Sequence, residues 1–456
     1  MSQWQLHLFL CLPTRSGVER VTPAVVAEPE TTDGMARALV LEAPGRLVEH
    51  SVPLPDTGDD DALLAVEACG LCGTDHEQYA GLLAPGFAFV PGHETIGTIE
   101  RIGAAAAAEW GVEEGDRVAV EVFQSCRRCR PCRSGDYRHC IAHGIGDMVG
   151  FVPFERPPGL WGGYATHQYL GPDAKVLPVP PSLDPVVATL FNPLGAGIRW
   201  GVTVPGTGPG DVVAVLGPGV RGLSVLVAAK EVGAGFVMVT GNGRRDAERL
   251  ETARLLGADL TVDVSVEDPV TALRSALGRA VTPRGAGRAH RGGADVVVDV
   301  TAKAPSALGQ AVDLVRPGGT VVVAGTRGSD DTPGFHPDHL VYKEVRLIGA
   351  LGVDTTSYRA AIDLLASGRY RLATLPRTAV GFAEVAALLA VIGGENVSAE
   401  TSGAPTGRSP ASHPTVNPAS PPTVNPASPP TVDPASAPAS PPVHGVFVPH
   451  LPKGPT

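Results

Sequence analysis

From Met35 onward, short apolar runs alternate with glycine, proline and charged residues. "MARALVLEAPGRLVEHSVPLP" reads as a strand, a turn and a second strand. "DALLAVEACG", "TIGTIERIG" and "DRVAVEVF" continue the strand-and-turn pattern to about Pro180. Near Asp211 the pattern changes. "DVVAVLGPGVRGLSVLVAAKEVGA" is an apolar strand, a glycine turn and a helix, "GFVMVTG" is a further buried strand, and "AERLETARLLGAD" is a helix ending at glycine. "ADVVVDVT", "GGTVVVAG" and "VRLIGA" are further continuously apolar strands. Strands alternating with helices, apolar along their whole length, predict a parallel sheet covered on both faces. The chain is therefore expected to be α/β, with a β-rich part from Met35 to about Pro180 and a parallel, doubly covered sheet from about Asp211.

The ends look different. Residues 1–34 lack periodicity and are expected to be a disordered extension. From about Asn396 the chain turns to Pro, Ser, Ala and Thr, and "PTVNPASP" occurs twice before "PTVDPASA". An octapeptide this rich in proline predicts an extended, disordered insertion over 396–441 rather than a folded repeat. "VHGVFVPHL" then reads as a strand again, so 442–452 is expected to pair back onto the first domain.

Composition narrows the function. A net charge of −11 with scattered Arg and Lys argues against nucleic acid as a partner. No apolar run reaches the roughly 18 residues of a membrane span. "MSQWQLHLFLCLP" carries no basic leader and is read as neither signal peptide nor anchor. Six of the seven cysteines fall in two tight groups, which suggests metal ligands in a reducing compartment, the cytoplasm.

"CRRCRPCRSGDYRHC" spaces Cys126, Cys129, Cys132 and Cys140 as C-x2-C-x2-C-x7-C. Four thiolates close a tetrahedral zinc shell, so this lobe, about 124–142, is expected to hold a structural zinc. His139 beside it reads as solvated. In "ACGLCGTDHEQYAG", Cys72 precedes the "GHE" of His93 and Glu94 by 21 and 22 residues. A thiolate, an imidazole and a carboxylate can hold zinc and leave one position open, which suits catalysis. Asp75 can fix the tautomer of His93 or cap a helix. Thr74 can relay a proton or serve as a turn residue. Cys69 reads as a small buried residue.

"GPGVRG", Gly217 to Gly222, fits the dinucleotide turn, in which Gly217, Gly219, Val220, Arg221 and Gly222 approach a pyrophosphate, Arg221 as a phosphate contact or a solvated side chain. The second strand ends in Thr240 and Gly241, with Arg244 and Arg245 following and no carboxylate at the strand end. Two cations and no acid favour NADP over NAD, although Asp246 can pair with either arginine.

Taken together, "GLCGTD", "GHE", the four-cysteine lobe and the glycine turn resemble the zinc-dependent medium-chain alcohol dehydrogenase family over about residues 35–395 and 441–451. The resemblance implies a GroES-like catalytic domain over 35–194, a doubly wound Rossmann NAD(P)-binding domain over 195–352 and a return to the catalytic domain over 353–395, two zinc ions per chain, a small-molecule alcohol or carbonyl substrate, and a homodimer or homotetramer. It implies Cys72, His93 and Glu94 as catalytic zinc ligands, Thr74 as the proton-relay hydroxyl, Asp75 as the partner of His93, and His76 or Glu77 as the outward path. Two departures stand out. "LFNPLGAGIRW" offers only Asn192 where many members carry a third ligand, and Glu77 stands where a histidine is frequent. Both point away from simple primary alcohols, toward a secondary alcohol, polyol or sugar. Trp161, Phe191 and Leu194 are the candidate pocket walls. Two other readings compete: a non-catalytic zinc- and nucleotide-binding scaffold, and a zinc-free reductase.

Overall fold

The computed structural model describes residues 34–83, 85–280, 292–302, 304–326, 332–393 and 442–451. The expected disordered extension and the octapeptide insertion lie outside the described residues. No described helix is long and apolar enough to cross a membrane.

The first part is built from antiparallel strands. β1 (Met35–Ala43) and β2 (Arg46–Pro53) form a hairpin. β3 (Ala62–Leu71), β4 (Thr95–Ile102), β5 (Arg117–Val120), β6 (His167–Leu170) and β7 (Val176–Pro178) make most of a seven-stranded sheet. The second part is a six-stranded parallel sheet of β8 (Val212–Leu216), β9 (Phe236–Gly241), β10 (Leu260–Asp263), β11 (Ala294–Asp299), β12 (Val315–Val323) and β13 (Arg346–Gly349), in the order β10-β9-β8-β11-β12-β13. All residues of β8 and β11 are buried, because helices cover both faces of a parallel sheet. That is why these strands read as continuous apolar runs. Strand order reverses beside β8, and open α/β sheets bind ligands at such a switch point. The glycine turn follows β8 there.

The chain then returns to the first sheet. β14 (Arg377–Val380) lies parallel to β15 (His444–Phe447), and β15 runs antiparallel to β3, with Gly445 opposite Leu71 and Phe447 opposite Cys69. Phe447 is wholly buried and packs with Tyr164 and Phe382. His444 is also buried. Its Nε2 lies 3.0 Å from Thr189 Oγ1, whose own proton goes to the Val186 carbonyl at 2.8 Å, so His444 is the donor. Burial, reinforced by Arg377, pushes His444 down to about 3, so the ring is neutral.

Phe447→Ala should lower stability by about 3–5 kcal/mol through a core cavity. Urea unfolding of the full chain checks this, and an unchanged midpoint would mean that β15 does not hold the sheet.

Candidate active site and metal centres

The pairing of β3 with β4 sets Cys69 opposite Thr95. Three residues beyond Cys69 is Cys72, and two before Thr95 is His93, so the two motifs meet at one end of the strand pair. Cys72 Sγ lies 3.3 Å from His93 Nε2. Cys72 is also the N-cap of the helix Gly73–Tyr79, and its backbone N–H donates to Asp75 Oδ2 at 2.8 Å. The other oxygen of Asp75, Oδ1, stands 3.5 Å from His93 Nδ1. One carboxylate thus caps the helix and faces the histidine. Both readings of Asp75 describe the same side chain.

This cluster is buried: Cys72 is 4% exposed, Asp75 1%, His93 5% and Glu94 0%. Burial holds His93 below its ordinary value, which favours the neutral, ligating imidazole. Burial also pushes Cys72 well up and Glu94 up to about 8. Asp75 Oδ1, His93 Nδ1 and both Glu94 oxygens have no hydrogen-bond partner. Glu94 reaches its place because β3 has glycine at position 70; a Cβ there would overlap Glu94 Oε2. Buried acids without partners are costly, and a divalent cation removes that cost. Zinc bonds of about 2.3 Å to sulfur and 2.0 Å to nitrogen place tetrahedral ligands about 3.5 Å apart. The Cys72–His93 separation fits that figure.

Cys72, Asp75 and His93 form the group of mutually close ligand atoms, and Glu94 is not in it. Glu94 Oε1 instead lies 4.0 Å from Arg221. Asn192 is buried on the helix Phe191–Ile198, and its amide nitrogen donates to the His93 carbonyl at 3.4 Å and to Tyr358 at 3.1 Å. It holds the backbone of His93. Thr74 and Glu77 are half-buried on the Cys72 helix. His76 turns to the helix Val385–Gly393, with Nδ1 3.1 Å from the Leu389 carbonyl. Of the suggested pocket walls, Phe191 and Leu194 pack in the main core cluster, and the buried Trp161 stacks edge-on against Tyr169.

In the cysteine lobe, Cys126–Cys132 and Cys129–Cys140 are each 3.9 Å apart. Tetrahedral zinc with bonds of about 2.3 Å separates sulfurs by about 3.8 Å. Backbone N–H groups of Cys129 and Arg128 lower Cys126 to about 6, whereas burial raises Cys132 to about 12. Four sulfurs this close need a cation to be thiolates together. His139 is exposed. The lobe is tied to the rest of the molecule by a contact the sequence did not signal: buried Tyr137 donates to Glu121 at 2.6 Å, and its hydroxyl lies 3.1 Å from Thr355.

The glycine turn opens the helix Val220–Glu231. Gly217 has φ +100°, and a Cβ on Gly222 would overlap the Gly217 carbonyl. A Cβ on Gly219 meets nothing within 4 Å, which leaves a cradle open at the helix start. The Gly217 N–H donates to the Thr240 carbonyl at 3.2 Å. Asp246 is engaged by Arg249 at 3.3 Å and by the Asn242 N–H at 2.9 Å, rather than by Arg244 or Arg245. Arg244 and Arg245 are exposed, and Arg245 donates to the Ile392 carbonyl at 3.3 Å. Arg221 departs furthest from expectation. It is half-buried, and its Nη2 lies 3.7 Å from Cys72 Sγ.

Comparison with known proteins bears on the same residues. Residues 58–181 match the alcohol dehydrogenase GroES-like domain family, and residues 222–367 match the zinc-binding dehydrogenase family. A probable alcohol dehydrogenase of Mycobacterium tuberculosis is 64% identical over 366 residues, which cover 80% of this chain and 96% of that protein. The chain belongs to the zinc-dependent medium-chain alcohol dehydrogenases. A sorbitol dehydrogenase of Bacillus subtilis is 29% identical, over 73% of this chain and 86% of its own. A zinc-binding dehydrogenase from Sinorhizobium meliloti, solved with NADP, is 26% identical, with a TM-score of 0.66 over 91% of this chain and 99% of its own. The dehydrogenase thus has its family's GroES-like and Rossmann halves. The fit of both sulfur sites to zinc, together with family membership, speaks against the scaffold and zinc-free readings.

Elemental analysis of the purified dehydrogenase should find about two zincs per chain, falling to about one in Cys72→Ser. A second expected outcome concerns the lobe anchor. Burial pushes Glu121 up to about 8, partly offset by Tyr137, above its unfolded value of about 4.5. The folded state therefore binds more protons in that window, and its stability falls as pH rises from about 4.5 to 8. In Glu121→Gln this contribution disappears. Denaturant unfolding across that pH range, compared with wild type, checks it.

Proposed function

We propose that this dehydrogenase interconverts a secondary alcohol, polyol or sugar hydroxyl with its carbonyl, using NADP in preference to NAD. One observation carries the reading: the buried Cys72–His93 pair, spaced for a metal, beside the carboxylate of Glu94, whose oxygens accept no hydrogen bond. Cys72, His93 and Glu94 are the proposed ligands of the catalytic zinc, with Asn192 outside the shell. The four lobe cysteines hold the structural zinc. Bound zinc supplies Lewis acidity toward the alcohol hydroxyl, and bound nicotinamide supplies a hydride carrier.

The protein's own residues do the rest. Asp75 favours the proton of His93 on Nδ1 and leaves Nε2 free to ligate. The hydroxyl of Thr74 takes the alcohol's proton and passes it outward through His76 or Glu77. His76 donates from Nδ1 to the Leu389 carbonyl, so its Nε2 is the accepting nitrogen. Burial of the cluster excludes competing water.

Gly217, Gly219, Val220 and Gly222 are assigned to the pyrophosphate, with Thr240 and Gly241 beside the adenosine ribose. Arg244 and Arg245 are assigned to a 2′-phosphate. The engagement of Asp246 by Arg249 and the NADP-bound relative support this choice. The sorbitol dehydrogenase relative supports a polyol. β13 is the outer strand of the parallel sheet, and nearby Val341, Tyr342, Leu347 and Leu351 are exposed, which supports self-association as a homodimer or homotetramer. Thiolate metal ligands suit the cytoplasm.

A panel of alcohols, polyols and sugars with NADP and NAD, followed by cofactor absorbance, tests the reading. Cys72→Ser should lower kcat/KM by about 10³-fold or more, since several kcal/mol of transition-state stabilisation is at stake. Full activity in that variant would refute the metal's role. Replacing Arg244 and Arg245 with Ala should raise KM for NADP by about 10-fold or more, the scale of one charged hydrogen bond, and leave KM for NAD little changed.

A further inference from the structure

Arg221 belongs to the glycine turn by sequence and to the metal centre by contact. Its Nη2 lies 3.7 Å from Cys72 Sγ and 4.0 Å from Glu94 Oε1. Its guanidinium carbon lies 5.4 Å from the centroid of the Trp200 ring. That ring is itself fixed, because Trp200 Nε1 donates to the Gly352 carbonyl at 2.9 Å. The backbone of Arg221 is set by the turn, as the second residue of the helix Val220–Glu231. A cation is therefore held between an aromatic face and two anionic ligand candidates, and it comes from the nucleotide-binding half of the chain.

We infer that Arg221 is a positioning residue of the catalytic metal, acting through a hydrogen bond to the sulfur of Cys72. The inference rests on the reading that Cys72 ligates that metal. An N–H donor on a thiolate draws charge away from the sulfur, so the thiolate gives less to the metal and the metal stays more electrophilic. The fixed positive charge also favours the anionic form of an alcohol bound nearby. A guanidinium keeps its charge at every working pH, so the effect is constant across the pH range of catalysis. Its origin in the glycine-turn helix makes the metal's electronic character depend on how the two halves of the chain meet.

The test uses the full chain with cobalt exchanged for zinc at the Cys72 site. Subtracting the spectrum of Cys72→Ser leaves the sulfur-to-cobalt charge-transfer band of Cys72 alone. In Arg221→Met this band should move to longer wavelength, and in Arg221→Lys it should return toward wild type. The apparent pKa in the kcat profile for alcohol oxidation should rise in Arg221→Met by about one pH unit, the scale of one charge acting over roughly 10 Å at an effective dielectric of about 20. Its kcat should fall by about 10–100-fold. One zinc per chain kept by the cysteine lobe reports that the variant is folded. A band and a pH profile unmoved in Arg221→Met overturn the inference. So do equal shifts in Met and Lys variants, which indicate packing alone, and a loss confined to cofactor affinity, which returns Arg221 to a phosphate. Failure of both variants to take up cobalt overturns it as well. A wild type with no Cys72-dependent band refutes the metal reading itself, and the inference with it.

Discussion

The register of β3 against β4 is the constraint on which the site depends. With Cys69 opposite Thr95, the end of one strand and the start of the next lie side by side. Only then do Cys72 and His93, 21 residues apart in sequence, come within 3.3 Å. A one-residue slip would turn every side chain of β3 to the opposite face. β15 guards the register from the other edge of β3, pairing with Cys69, Gly70 and Leu71 just before the ligand. Gly70 adds a steric condition of its own, because the carboxylate of Glu94 occupies the space a side chain would take.

Charge explains why this buried corner is incomplete as protein alone. A thiol, an imidazole and two carboxylates are withdrawn from water, and several of their polar atoms meet no donor. Asp75 satisfies the helix N-terminus with one oxygen and holds the other toward His93. The Arg221 guanidinium enters from the opposite half of the chain. The cysteine lobe solves a similar problem differently. Two of its cysteines, Cys129 and Cys132, are only half-buried, backbone N–H groups favour the thiolate of Cys126, and the lobe is anchored to the body through Tyr137, Glu121 and Thr355.

Much of this was legible in the chain. Parallel strands buried on both faces appear as unbroken apolar runs, so β8, β9, β11 and β12 stand out. Zinc sites announce themselves when ligands are close in sequence, as in the lobe, or when a short motif flanks them, as in "GLCGTD" and "GHE". Side-chain direction was not legible. The position of Arg221 in the turn leaves a phosphate contact and a solvated side chain equally open, and only the fold brings its guanidinium to Cys72. Nor does the sequence show which way Phe191 and Leu194 face: both pack in the main core cluster.

The sequence by itself determined the α/β class, the two groups of metal-ligand candidates and the glycine turn. These depend on periodicity and local spacing, which any short stretch of chain carries with it. Tertiary structure alone decided that Asn192 grips the backbone of His93, that Asp246 is engaged by Arg249, that His76 faces the Leu389 carbonyl, and that Arg221 reaches the sulfur of Cys72. Each of these contacts except that between Asp246 and Arg249 joins elements distant in sequence. A long polar side chain has several rotamers within reach of different partners, and only the packed neighbours select one.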